Sequence, residues 1–298
     1  MRLPAPEKLG AVLSSYVGIQ KQNRNMCKLA IVTKHDSTQL GSIIINAWRE
    51  MSRTEKDGFG AAWVRPNGKI GYVKSSQATF LTELPSFCDT FSEGTELRSD
   101  GGALIIHGRT ATCGVNVVNT HPMLSTGCAL VHNGVVSSSR FHNTDTTCDS
   151  ELLLHAWKED GIDAVAQDIS GYYAFAIIQR IKGRTVLDVV RDDRAQLKVG
   201  KVDGGWAFAT TPELLKTLGS SALSDYKTNT HVSFVDGKEY SVASFVPAKA
   251  DKKLEKAAAK ALGGHNMYTS YKEPSTNWRA SAAFANQRDA VELGYINE

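Results

Sequence analysis

With 298 residues, 42% of them hydrophobic and 22% charged, the chain has the composition of a globular protein with room for one large domain or two modest ones. Thirty-four basic residues against 31 acidic ones leave a formal charge of +3, too near balance to require a polyanion, so no nucleic-acid partner is expected. No apolar run reaches the ~18–20 residues of a membrane span, and the five cysteines contain no C-x-x-C pair, so no membrane segment, disulfide framework or metal knuckle is expected.

In chain order, residues 1–26 hold the mildly apolar LGAVLSSYVGI, interrupted by Ser14, Ser15 and Tyr16. Arg24, Asn25 and Met26, just before Cys27, lack the small side chains of a signal cleavage site. A cytoplasmic protein is expected, with 1–26 as a propeptide or an upstream extension. Leu29 to Val32 then read as a strand that opens on Cys27. Leu40, Ile43, Ile44, Ala47, Trp48 and Met51 form one helical stripe within 36–52, with Asp36 or Ser37 as N-cap. FGAAWV and KIGYVK read as strands around a turn at Pro66-Asn67-Gly68. GALIIHGRT and GCALVHNGVV are further short apolar runs ending in polar residues.

Residues 149–159 carry Leu152, Leu153, His155, Ala156 and Trp157 in helical register. GYYAFAIIQR, RTVLDVVRD, QLKVGKV and GWAFATT are the next expected strands. Thr211 and Pro212 open a short helix, and HVSFVDGKEYSVASF is a hairpin around Asp236-Gly237. This order predicts an α+β layered sandwich of antiparallel sheets with helices outside. After about residue 248 the composition shifts to KADKKLEKAAAKALGG, a charged helix ended by glycines, and then to a polar tail. The expected organisation is 1–26, a main domain over 27–248, and a helical or partly ordered appendage over 249–298.

Cys27 alone reads as a small buried hydrophobe. Its setting changes that reading. MCKLAIV, DGFGAAW (57–63), HGRTATCGVNVVNTHP (107–122), VHNGVV (131–136) and CDSELLLHAW (148–157) occur in this order, and GYYAFAII and VVRDDRAQLKVG extend the pattern to about residue 220. Together they resemble a class II glutamine amidotransferase of the N-terminal-nucleophile (Ntn) type, closest to members without a fused synthase. The resemblance covers most of 27–220 and implies the Ntn-hydrolase four-layer αββα sandwich.

It also implies residue roles. Cys27 is the nucleophile, and its own α-amine is the base. A free α-amine has a pKa near ~7.7–8.0, suited to taking a proton at neutral pH, and a thiol near ~8.5 is the readiest common nucleophile. A peptide nitrogen cannot be that base, so Cys27 has to become the first residue. Two routes are open: translation from Met26 with removal of that methionine, which its position favours, or cleavage of 1–26 as a propeptide. Asn133 and Gly134 match the oxyanion pair; read alone, Asn-Gly is a hairpin turn. Arg109 matches the fork that grips the substrate α-carboxylate, and Asp149 the acid that pairs with the α-ammonium. Alone, the first reads as a surface arginine and the second as the N-cap of a helix over 150–157.

Thr112 and Asn119 are expected to line or brace the pocket. His121 is expected on the substrate-binding side, with His107 as a core hydrogen-bonding residue; neither is needed as a base. Cys113 stands where many relatives carry histidine or another polar residue, and Gln196 where synthase-linked ones have proline. No metal and no cofactor is expected. The substrate is glutamine or another γ-glutamyl amide, as for relatives that hydrolyse γ-glutamyl conjugates. With no phosphate-binding glycine loop in 221–298, an acceptor or synthase subunit would be a separate protein. An unprocessed, catalytically silent binding module is the alternative from another class.

Overall fold

The computed structural model describes residues 27–76, 99–111, 114–138, 140–141 and 148–248, together with the backbone of 291–296. The expected helix after residue 249, most of the polar tail, residues 1–26, Thr112 and Cys113 lie outside the described residues. Strand β1 (Lys28–Val32) is followed by a 3-10 turn (Ser37–Gln39) and helix α1 (Leu40–Met51). Strands β2 (Phe59–Val64), β3 (Ile70–Ser75), β4 (Leu104–Gly108), β5 (Met123–Ser125) and β6 (Cys128–Ser137) come next. Helices α2 (Asp149–Asp160) and α3 (Ile162–Asp168) precede β7 (Ser170–Ile181), β8 (Arg184–Arg191), β9 (Lys198–Val202) and β10 (Gly205–Ala209). Helix α4 (Pro212–Thr217), β11 (Ser224–Asp225), β12 (Thr230–Val235), β13 (Lys238–Ser244) and β14 (Val291–Ile296) complete the order.

Two antiparallel sheets result. One has eight strands in the order β11-β9-β10-β1-β4-β2-β3-β14, the other six in the order β13-β12-β8-β7-β6-β5. Strand alternation assigns their faces. Leu29 and Ile31 of β1 join Val131 of β6 and Ala176 of β7 in the core between the sheets, while Ala30 and Val32 pack outward. The outward face of the eight-stranded sheet is covered by Leu40, Ile44, Ala47 and Met51 of α1 and by Leu214 and Leu215 of α4. The outward face of the other is covered by Leu153, Leu154 and Trp157 of α2 and Val165 of α3. The layers are therefore helix, sheet, sheet, helix, as the sequence predicts.

Local chemistry agrees at the element ends. Asp36 caps the turn before α1, its carboxylate accepting the Thr38 N–H at 2.9 Å. Thr211 Oγ1 accepts the Leu214 N–H at 3.2 Å and caps α4, with Pro212 in its first turn. Asp236 (φ 49°) and Gly237 (φ 76°) make the tight β12–β13 turn. Strand β14 is the departure. The polar tail returns to pair with β3, Val291 opposite Ser75 through Ile296 opposite Ile70, where no strand is expected from the sequence.

Candidate active site

The site forms at one end of the inter-sheet layer, where β1 begins and β4 ends. Lys28 pairs with Gly108, so Cys27 stands beside the segment that leaves β4. That segment grips the sulfur: the Thr110 N–H donates to Sγ at 3.3 Å, and the thiol donates to the Thr110 carbonyl at 3.3 Å. Residues 55–58, just after α1, hold the same segment. Arg109 N–H donates to Gly58 O at 2.8 Å, Asp57 N–H to Arg109 O at 3.1 Å, and Ala111 N–H to the Asp57 carboxylate at 2.8 Å. Glu55 accepts the Thr110 hydroxyl and, at 2.6 Å, that of Thr54.

Burial pushes the Cys27 thiol up to about 12; the Thr110 N–H pulls it down, Glu55 raises it, Arg109 lowers it and Asp149 raises it. That keeps it a protonated thiol at neutral pH. Arg109 and Asp149 thus both act electrostatically on the sulfur.

Arg109 is not a surface arginine. It is 3% exposed, and its Nη2 donates to the Gly114 carbonyl at 3.1 Å. Asn119 Nδ2 donates to that carbonyl at 3.2 Å, so Asn119 braces the arginine's acceptor. Asp149 is the first residue of α2 and not its cap; Cys148 occupies the cap position, and its side chain does not cap the helix. The Asp149 carboxylate instead accepts the Val136 N–H of β6 at 3.0 Å, tying the helix start to the strand that carries Asn133.

Asn133 and Gly134 lie within β6, opposite Ala174 and Tyr173 of β7, and not in a hairpin turn. Gly134 has φ +146°, and a Cβ there would come 2.0 Å from the Tyr172 carbonyl oxygen. Only glycine fits this backbone, and the β6–β7 pairing runs through it without a break. One residue earlier, the His132 carbonyl accepts a hydrogen bond from His107 Nε2 at 2.9 Å. A carbonyl only accepts, so the His107 imidazole carries its proton on Nε2. This bond crosses from one sheet to the other.

His121 packs its ring on His107, with centroids 4.0 Å apart, and His132 Nδ1 lies 3.0 Å from Ser150 Oγ on α2. All three imidazoles are buried and held neutral. Burial takes His107 down to about 3, His121 well below its ordinary value, and His132 down in the same direction. The segment bearing His121 crosses directly over β2, where a Cβ on Gly60 would lie 2.1 Å from the His121 carbonyl oxygen. Thr112 lies outside the described residues.

Three residues are brought in that the sequence reading does not single out. Thr110 contacts the sulfur, and Glu55 holds the Thr110 hydroxyl. The Tyr172 phenol is pushed up by burial and then by the charges of Cys27, Asp149 and Asp192. Thr110 and Tyr172 stand inside quoted motifs, and Glu55 two residues ahead of one. Strand register would have found Tyr172, which pairs with Val135 two positions beyond Asn133. A guanidinium and a carboxylate that both act on one thiol are the groups needed to hold an α-amino acid by its two charges while the thiol attacks its side chain.

Known proteins share part of this sequence and its fold. Residues 117–217 match the family model described as a glutamine amidotransferase domain. Over that stretch the chain has the sequence signature of a glutamine amidotransferase domain. The match takes in His121, Asn133, Gly134 and Asp149, but not Cys27 or Arg109. The domain is similar to the solved structure of the allosteric regulatory enzyme of purine biosynthesis, at 19% identity and TM-score 0.59 over 73% of this chain and 49% of that one. It is also similar to glutamine phosphoribosylpyrophosphate amidotransferase from B. subtilis, at 19% identity and TM-score 0.55 with the same coverage. The chain thus spans about half the length of both, and the likeness identifies its fold as that of their Ntn-hydrolase amidotransferase domain. No curated protein matches.

Proposed function

We propose that the chain hydrolyses the γ-amide of glutamine, or of another γ-glutamyl compound, through a thioester on Cys27, giving glutamate and ammonia. The observation that supports this best is the sulfur held by Thr110, with Arg109 and Asp149 acting on it electrostatically and Asn133 on the facing sheet beside Gly134, a position that only glycine fits.

Arg109 takes the α-carboxylate and Asp149 the α-ammonium, which leaves the side-chain amide to the thiol. The freed α-amine of Cys27 accepts the thiol proton as sulfur attacks the amide carbon. The Asn133 side-chain amide and the Gly134 N–H receive the oxyanion, which develops only in the transition state. The ammonium so formed returns the proton to the departing nitrogen, the C–N bond breaks, and ammonia leaves. Water, deprotonated by the same amine, then cleaves the thioester to glutamate. Thr112 and His121 complete the proposed substrate-binding set. Ammonia passes to an acceptor on a separate synthase subunit or is released.

A thiol pushed up to about 12 beside an acylated nitrogen is unreactive, so a chain retaining residues 1–26 is the catalytically silent form of the same fold. Glutamate release from glutamine, compared between the wild type and Cys27→Ala, tests the reading. Release by the wild type and none by the variant is expected; equal release by both would rule out the thioester.

A further inference from the structure

Glu55 is a carboxylate 3% exposed, one threonine removed from the sulfur, and the mechanism above leaves it without a part. It sits on the turn after α1, where Gly108 leaves room for it: a Cβ on that glycine would approach Glu55 Cγ to 3.1 Å. Its two oxygens are occupied separately, one by the Thr54 hydroxyl and the other by the Thr110 hydroxyl. Thr110 is the residue whose N–H and carbonyl both contact Cys27 Sγ. A continuous path therefore runs from the Glu55 carboxylate through one threonine to the nucleophile.

We propose that Glu55 is a positioning residue for Cys27: its buried carboxylate anchors Thr110, orients the peptide that holds the sulfur, and places a negative charge beside the reacting groups. The proposal rests on the reading of Cys27 as nucleophile. Burying a carboxylate is costly unless its oxygens are bonded, and here hydroxyls on two sides bond them. The charged groups that face it are Lys28 on β1 and Asp57 on its own loop; those facing the sulfur are Glu55, Arg109 and Asp149. Burial raises the Glu55 carboxyl, while the two threonines and Lys28 draw it back. A negative charge here disfavours the thiolate and favours the ammonium form of a freed α-amine. Glu55 would then set the pH at which both groups of Cys27 become competent.

The test reads the thiol directly. The pH dependence of Cys27 alkylation by iodoacetamide, followed on the Cys27 peptide by mass spectrometry, is compared for the wild type, Glu55→Gln and Thr110→Val. Glu55→Gln keeps the shape and removes the charge, so its midpoint should move to lower pH by roughly one unit. Thr110→Val cuts the anchor and should change the alkylation rate at fixed pH by about tenfold or more, with a small change in melting temperature. In a processed, active sample, kcat should fall in both variants while KM for glutamine stays within about twofold. A Glu55→Gln midpoint equal to the wild type would overturn the proposal. Alkylation is read whether or not glutamine is hydrolysed, so failure of the proposed function would leave this result interpretable.

Discussion

At the scale of single residues, the account separates binding from chemistry. Arg109→Ala and Asp149→Ala each remove one charged grip on the amino-acid end of the substrate, and a charge-assisted hydrogen bond carries ~1.5–3 kcal/mol. Each should lower kcat/KM for glutamine at least tenfold, chiefly through KM, measured by initial-rate glutamate release. Unchanged KM in both would remove these residues from the substrate site. Asn133→Ala removes one oxyanion donor and should lower kcat by ~10²–10³ with KM nearly constant. The burial of Arg109 favours its motif reading over that of a surface arginine. Its brace by Asn119, through the shared Gly114 carbonyl, was only a general expectation of a lined pocket. Glu55 was not legible, because its partner Thr110 is 55 residues away and no local pattern links them.

At the scale of elements, local rules were sufficient where a side chain meets its own backbone and failed where distant segments meet. The Thr211 cap, the Asp236-Gly237 turn and the α1 stripe follow from spacing alone. Asn133-Gly134 illustrates the opposite case. The dipeptide is a strong turn signal, yet it lies inside a ten-residue strand because β7 pairs with it along its whole length. The return of β14 to β3 is a pairing over more than two hundred residues, which composition cannot foretell. Gly134→Ala should destabilise the fold by ~1–3 kcal/mol or more, since the alanine meets both an unfavourable φ and the Tyr172 carbonyl. Thr211→Ala, at a helix end far from the chemistry, should cost about 1 kcal/mol and leave the response to glutamine intact. Urea denaturation checks both; a Gly134→Ala chain as stable as the wild type would contradict the strained geometry.

At the scale of the whole molecule, one hydrogen bond from His107 to the His132 carbonyl joins the two sheets at the site, and the buried histidines around it shape the response to acid. His107, His121 and His132 have folded-state pKa values depressed by burial, from an ordinary 6.5. Below pH ~6.5 the unfolded chain binds protons that the folded chain refuses, so stability is full above that value and is lost as pH falls toward the folded-state values. Each refused proton contributes a slope of up to roughly 1.4 kcal/mol per pH unit. The melting temperature should therefore drop steadily between pH 6.5 and pH 4. His121→Phe replaces a ring whose two nitrogens have no hydrogen-bond partner among the described residues, and should flatten that slope. An unaltered slope would place the acid sensitivity elsewhere. Among the described residues no helix is long and apolar enough to cross a membrane.

The central claim is that Cys27 supplies both the attacking sulfur and the proton-accepting nitrogen, which requires its amine to be free. The most direct measurement pairs intact-mass determination with glutamate release on two purified forms, one starting at Cys27 and one retaining Met1. The account predicts that the form starting at Cys27 turns over glutamine and that the longer form is inert until residues 1–26 are removed. Equal turnover by a chain whose mass shows every upstream residue still attached would contradict it.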